Sequence, residues 1–376
     1  MQICFDVLRG GGLVKFAIFG AKSTALGICL AIRKIYPELK IETFLVSSLE
    51  NNPMYLAGLP VQEISSFADK EIRILIGTPE DLHEKIIHSL EIHGFMHWVC
   101  INSYQESELM ERYFYELGLF PSIHKVPIGN IRAVLKIYQA KHCKDKPVKH
   151  FYSLPDWIVP IQAGAAYLSR GGNTEADCTG ENISSKNANY CELTVLYWLW
   201  KNCLQISQGK GSDAIQPASR ETEYYGLFHY RRILDIRDHD LLRMTKNQID
   251  VILPYPTIHE PSIYEHHVRY IQEKDWEAVM DVLAELQPEY AEAFSEILEQ
   301  PYLYNYNILI AKRQILSDYC AWLFPILFQV EERTDSKEKK RMDRYIGYIG
   351  ENLLTLYFFY HKDTMNILHS GRIMLT

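Results

Sequence analysis

The chain has 376 residues, more than one ordinary domain holds, and 47% hydrophobic with 12% aromatic content is ample for packed cores. A formal net charge of −8 excludes a general nucleic-acid binder, whose domains carry a basic surface, so any anion site must be a local focus of positive charge. Eight cysteines without a CxxC or zinc-like spacing read as free thiols of a reducing cytoplasm. The mixed charges of "MQICFDVLRGGGLVKFAIFG" do not read as a signal peptide, and no apolar stretch approaches the roughly 18 residues of a membrane span.

Residues 14–122 alternate strand and helix signals. "KFAIFG" (15–20) is an apolar strand, and "STALGICLAIRKIYP" (23–37) is an amphipathic helix stopped by Pro37. "IETFLVS" (41–47) and "EIRILIGTP" (71–79) are further strands, separated by the turn-rich "SLENNPMYLAG". "EDLHEKIIHSLEIHG" (80–94) opens with acids and closes at Gly94, as helix dipole and cap prefer. "HWVCINS" (97–103) and "ESELMERYFYELG" (106–118) complete another strand–helix pair. Such alternation predicts a parallel, Rossmann-like sheet. Its first turn, "GAKSTALG" (20–27), has Gly20 but Lys22 and Ala25 where a dinucleotide fingerprint has glycines, which speaks against an NAD-dependent enzyme. The region serves regulation, docking or nucleotide binding. Through "NPMYLAGLPVQEISSF" (52–67) it resembles the small Rossmann-like domain of sugar acetyltransferases of the PglD type.

The composition shifts near residue 130, with a new strand "AVLKIYQA" (133–140) leading to Lys141 and His142. This predicts two domains, 1–130 and 131–376. The densest polar segment, "DCTGENISSKNANYCELTVLYWLWKN" (177–202), combines Asp177, Asn182, Ser184, Lys186 and Asn187 before Glu192 opens an aromatic helix. Such side chains either bind a ligand or cap and turn the chain. "YYGLFHYRR" (224–232) is a central strand ending in His229, Tyr230, Arg231 and Arg232. Ligands of open α/β sheets bind at strand carboxyl ends, and arginine's planar fork suits phosphate, although an arginine pair can equally be a solvated strand end. "YLYNYNILI" (302–310) reads as a strand with Asn305 and Asn307 on one face. In "RYIGYIGENLL" (344–354), Glu351 behind Gly350 opens an apolar helix, either as a dipole-favoured first-turn acid or as a general base. "DIRDHD" (235–240) is the one stretch where carboxylates suggest Mg or Mn. "EERTDSKEKKRMDR" (331–344) is a charge run expected in a solvated loop or exposed helical turn.

The collinear blocks "VPIQAGAA" (159–166), 177–202, "YYGLFHYRRIL", "DVILP" (250–254), 302–324 and "RYIGYIGENLL" resemble the DUF4422 family of bacterial capsule and exopolysaccharide gene clusters. The resemblance implies a C-terminal α/β glycosyltransferase domain of GT-A-like fold. It would transfer galactofuranose or galactose from a UDP-sugar to a growing, lipid-linked surface polysaccharide. His229, Arg231 and Arg232 would stand where such folds usually hold a metal, so no cofactor is required. His142, Asp177, Asn182, Ser184, Lys186, Asn187, Glu192 and Tyr230 would line the donor. Tyr304, Asn305, Asn307 and Gly350 would face the acceptor, and Glu351 would be the base. Two departures stand out: Tyr306 replaces the family's usual methionine, which alters the acceptor pocket, and "CTGEN" with Glu181 replaces "TGDN". The implied protein is cytoplasmic, peripheral at the inner face of the membrane, with its homo-oligomeric state open. A non-catalytic scaffold that senses a nucleotide sugar or binds glycan is the competing reading.

Overall fold

The computed structural model describes residues 15–149, 152–167, 175–205, 223–334 and 341–376. The first sheet contains β1 (Lys15–Phe19), β2 (Lys40–Val46), β3 (Tyr55–Leu56), β4 (Leu59–Glu63), β5 (Arg73–Ile76) and β6 (Trp98–Cys100), in the order β3-β4-β2-β1-β5-β6. All pairings are parallel except β3 with β4. Helices α1 (Ser23–Ile35) and α2 (His83–Ile92) cross between strands, and α3 (Ser103–Leu117) follows the last of them. The apolar run Phe16–Phe19 is buried because parallel strands are covered on both faces. α3 is set by a capping box, with Asn102 accepting from the Gln105 amide, and it stops at left-handed Gly118.

The second sheet takes in β7 (Leu135–Lys141), β8 (Ile158–Gln162), β9 (Glu175–Ala176), β10 (Tyr224–His229) and β11 (Arg232–Leu234), with the short helices α4 (Asn187–Tyr190) and α5 (Leu193–Leu199) between β9 and β10. After α6 (Asp238–Lys246) come β12 (Val251–Pro254), β13 (Thr257–Ile258), α7 (Ile263–His267), α8 (Glu273–Leu286), α9 (Pro288–Glu299), β14 (Tyr302–Leu303) and β15 (Leu309–Lys312). The chain closes with α10 (Arg313–Thr334), α11 (Tyr345–Tyr360), β16 (Ile367–Ser370) and β17 (Arg372–Met374). The strand order is β16-β12-β15-β10-β7-β8-β9, with β11 joining β10 to β17 and β13 pairing β14 separately. β10 is central, parallel to β7 and antiparallel to β15. Gly226 makes that position possible, since a Cβ there would stand 2.2 Å from the Leu309 carbonyl oxygen. Residues 353–358 of the aromatic stretch "LLTLYFFYHK" are buried within α11. Of the charge run 331–344, residues 335–340 lie outside the described residues, while Glu331 and Thr334 are buried.

The two sheets share a packed boundary. Tyr255 and Ile258 belong to the same apolar cluster as α1 and α3. The Met374 amide donates to Ser103 Oγ at 2.9 Å, and the Ala57 amide donates to Glu260 Oε2 at 2.7 Å. The last helix of the first layer ends at Leu117, and the connecting segment lies on the second sheet, where the His369 amide donates to Pro121 O at 2.8 Å. Among the described residues no helix is long and apolar enough to cross a membrane.

Candidate functional site

The central strand does not run out into a loop. Tyr230 and Arg231 form a tight turn, and Arg232 opens β11 and pairs back against His229. Arg231 Nη1 donates to Asp81 Oδ2 at 2.8 Å, while its buried Nε has no hydrogen-bond partner. The Arg232 guanidinium lies 4.2 Å from the centre of the Tyr306 ring, and Arg372 from β17 lies 5.3 Å from the same centre. Among the described residues neither Arg232 nor Arg344 has a carboxylate partner, in a chain whose other charges are widely paired. Burial, then the charges of Arg232, Arg231 and Arg344, push the His229 imidazole down to about 3. His229 is therefore neutral near pH 7, and its buried Nδ1 has no partner.

The expected strand over 302–310 is broken, and this break builds the site. Tyr306 and Asn307 both take positive φ values, +67° and +49°, a conformation costly for non-glycine residues and often found where structure serves function. Asn305 and Asn307 therefore do not share a strand face. Asn305 Oδ1 accepts from Arg372 Nη1. Asn307 Nδ2 donates to Glu192 Oε1 at 2.9 Å, and the Tyr306 amide donates to Glu351 Oε1 at 2.8 Å.

Glu351 does not open its helix, because α11 begins six residues earlier, at Tyr345. The first-turn dipole explanation therefore does not apply. Burial pushes its carboxyl up to about 7 against the Tyr306 amide and the charges of Arg232 and Arg372, which favour ionisation. His267 Nε2 stands 3.8 Å from Glu351 Oε2. Glu192 sits at the N-cap of α5 and is also pushed up to about 7, by burial first, with the charge of Glu351 adding. Gly350 lets α11 approach α5, since a Cβ there would meet Leu193 Cδ1 at 2.6 Å and Asn307 Oδ1 at 3.3 Å. Two buried carboxyls raised toward neutrality, the imidazoles of His229 and His267 and the arginines thus share one neighbourhood, an arrangement suited to acid–base work beside an anion.

The polar loop forms a different environment. Asp177 is fully buried and accepts four hydrogen bonds, from the amides of Gly164 (2.9 Å) and Ala165 (3.0 Å) and the hydroxyls of Ser184 (2.5 Å) and Thr194 (2.6 Å). Asn182 closes a turn, accepting from the Ser184 amide at 3.2 Å and donating to Gly180 O at 2.9 Å. Asn187 Nδ2 donates to Cys191 O and Thr194 Oγ1, and Lys186 pairs with Glu331. Glu181 accepts from the Tyr197 hydroxyl at 2.8 Å. His142 Nδ1 accepts from the Lys144 amide at 3.1 Å within its own turn. Tyr304, 3% exposed, donates its amide to Thr355 Oγ1 and shares a 2.8 Å hydrogen bond with His369. These groups spend their hydrogen bonds inside the protein. The carboxylates of 235–240 are likewise engaged, Asp235 with Arg237, Asp238 with Arg132, and Asp240 with Arg243 and His124. Among the described residues no group of three or more His, Cys, Asp or Glu is arranged to hold a metal ion.

Reading the sequence missed Arg372, Arg344 and His267. Arg372 stands past the last recognisable block, in "SGRIML", and only strand pairing brings it to β11. Arg344 begins a quoted block, but nothing marked it apart from other surface arginines.

A family described as a domain of unknown function, DUF4422, matches residues 136–362. The chain belongs to this family. The DUF4422 region is the portion carrying β10, Glu192, Asn307, Arg344 and Glu351, whereas Asp81 and Arg372 lie outside the matched range. No curated protein matches the chain. Among solved structures the chain is similar to the apo form of WbbM, a bifunctional glycosyltransferase, with 25% identity and a TM-score of 0.52. The match covers 65% of this chain and 45% of WbbM, so the chain spans less than half of that chain's length. This likeness agrees with the α/β architecture, a glycosyltransferase-like fold. A 3-ketoreductase of Actinomadura kijaniata, KijD10, aligns over 36% of this chain and 49% of its own at 14% identity, with a TM-score of 0.18, too slight to bear on fold or function.

Proposed function

We propose that this DUF4422 protein is a glycosyltransferase that moves galactofuranose or galactose from a UDP-sugar to a growing, lipid-linked surface polysaccharide, working at the inner face of the membrane. The observation that carries the reading is Arg232, without a carboxylate partner among the described residues, beside the buried carboxyl of Glu351. The likeness to the glycosyltransferase WbbM supports glycosyl transfer in general.

In this reading the donor diphosphate lies against Arg231 and Arg232, with Arg372 and Arg344 adjoining. Glycosyl transfer breaks the bond between the anomeric carbon and the diphosphate oxygen, and the leaving group gains negative charge. Fixed guanidinium donors stabilise that charge without a metal ion. His229, neutral before the donor arrives, contributes a hydrogen bond. Glu351 takes the proton of the acceptor hydroxyl as the new carbon–oxygen bond forms, and Asn305 and Asn307 hold the loop that presents Tyr306. A carboxyl near 7 suits a general base at neutral pH because it is both substantially ionised and basic.

The test is a thermal-shift screen of UDP-, GDP-, CMP- and dTDP-sugars in EDTA and again with Mg²⁺ or Mn²⁺, with the Arg232→Ala variant alongside. Stabilisation by UDP-sugars in EDTA that Arg232→Ala abolishes is the expected result. Stabilisation only with metal would move the donor site to carboxylates. No stabilisation by any donor would favour the glycan-binding scaffold.

A further inference from the structure

Asp81 belongs to the first domain, in the turn Glu80–Leu82 that follows β5, and so stands at the carboxyl edge of the first sheet. Its Oδ2 accepts from Arg231 Nη1 at 2.8 Å and lies 3.5 Å from Lys146 Nζ. Both partners of the first contact are largely out of water, Arg231 at 16% and Asp81 at 21% exposure. Burial opposes ionisation of Asp81, but Arg231 and Lys146 more than offset it and hold the carboxyl below its ordinary range. The guanidinium is thus gripped at one nitrogen, while its buried Nε has no partner. A second acid of the first domain stands near the arginines without pairing with them, and burial pushes its carboxyl up rather than down. Glu106 of α3 lines an interdomain cleft together with Arg372, Ser23 and Thr257, and the charges of Arg372 and Arg232 act on its carboxyl. The family match begins at residue 136, so both acids lie outside it, while Arg231, the partner of Asp81, lies within it.

We infer that the N-terminal domain completes the active site, with Asp81 as a positioning residue that holds Arg231 in the orientation a donor diphosphate requires. This rests on the donor-site reading above. A free arginine side chain samples many rotamers, and fixing one of its nitrogens on a carboxylate leaves the rest of the fork aimed at a single place. The carboxylate also partly neutralises the arginine, so an opposite outcome is physically possible: if charge dominated over orientation, removing Asp81 would tighten an anion.

Calorimetric titration of the full chain with UDP separates these cases, using wild type, Asp81→Ala, Asp81→Asn and Arg232→Ala, each checked for an intact melting transition. Positioning predicts that Asp81→Ala weakens UDP about tenfold, the worth of one charge-assisted hydrogen bond. Asp81→Asn, which keeps an acceptor of the same shape for Nη1 and is the variant safest for folding, should recover most of that loss. Steady-state assays with UDP-galactose should place the same loss mainly in the donor KM. Wild-type or tighter UDP binding by a folded Asp81→Ala, with Arg232→Ala defective, would overturn the inference and leave the donor site standing. Asp81→Asn as weak as Asp81→Ala, with both folded, would assign the effect to charge and also overturn it. Unchanged UDP binding by Arg232→Ala, or none by wild type, would remove the donor site itself and the inference with it.

Discussion

The loop around Asp177 and the cluster at the end of β10 are both rich in polar side chains, yet they are opposites in their use of hydrogen bonds. Asp177 collects four donors and is fully buried, so its loop is closed on itself. At the strand end, His229 Nδ1 and Arg231 Nε are buried without partners, and Arg232 rests on an aromatic ring with no carboxylate partner among the described residues. A buried polar group without a partner costs free energy, whereas a satisfied one explains itself. The comparison teaches that polar density alone does not single out a candidate site; unspent donors that cluster with arginines do so better.

The comparison can be sharpened by four substitutions or titrations, beginning with the most severe. Glu351→Gln should lower turnover by about 10²–10⁴-fold, the usual worth of a general base, in an assay of sugar transfer from UDP-galactose or UDP-galactofuranose. Glu351 itself has a pH signature in stability that the glutamine variant lacks. Its carboxyl rises from the ordinary 4.5 to about 7 in the folded chain, so the folded state binds the proton more tightly than the unfolded state. That contribution is complete below about 4.5 and is lost as pH rises through about 7, up to roughly 3 kcal/mol. Urea melts from about pH 5 to pH 8 should show the wild type losing stability relative to Glu351→Gln; parallel curves would contradict the burial argument.

Asp177→Ala should cost on the order of 3 kcal/mol of stability, because two amides and two hydroxyls lose their acceptor in a dry site. The part of the protein that remains folded should bind UDP like wild type. A selective loss of UDP affinity at full stability would return the loop to the donor site. Arg232→Ala reverses this pattern, with turnover down about 100-fold, as for loss of one transition-state donor, and a melting midpoint close to wild type. The smallest effect is a silence. His229, held at about 3, should show no imidazole titration between about pH 5 and 8 by NMR in the unliganded protein. A midpoint near 6.5 would mean that His229 is neither buried nor surrounded by the arginines.

Much of the architecture was legible from local pattern. The continuous apolar runs of β1, β2 and β5, the helices between them, and the central placement of Tyr224–His229 all follow from periodicity and composition, which act within a few residues. The basic strand end, Glu192 at a helix start and Glu351 beside Gly350 were likewise readable as chemistry out of place in a core. What the sequence could not disclose is which polar residues already have partners. Asp177 finds its donors 7 to 17 positions away, and Arg231 meets Asp81 across 150. Nor did a strand-like pattern over 302–310 reveal two consecutive left-handed residues, which tertiary contacts with Glu192, Glu351 and Arg372 hold in place. Local propensity determines which elements form and which face is apolar. The satisfaction of a buried charge or amide depends on groups brought from the far end of the chain, and only the folded structure decides that.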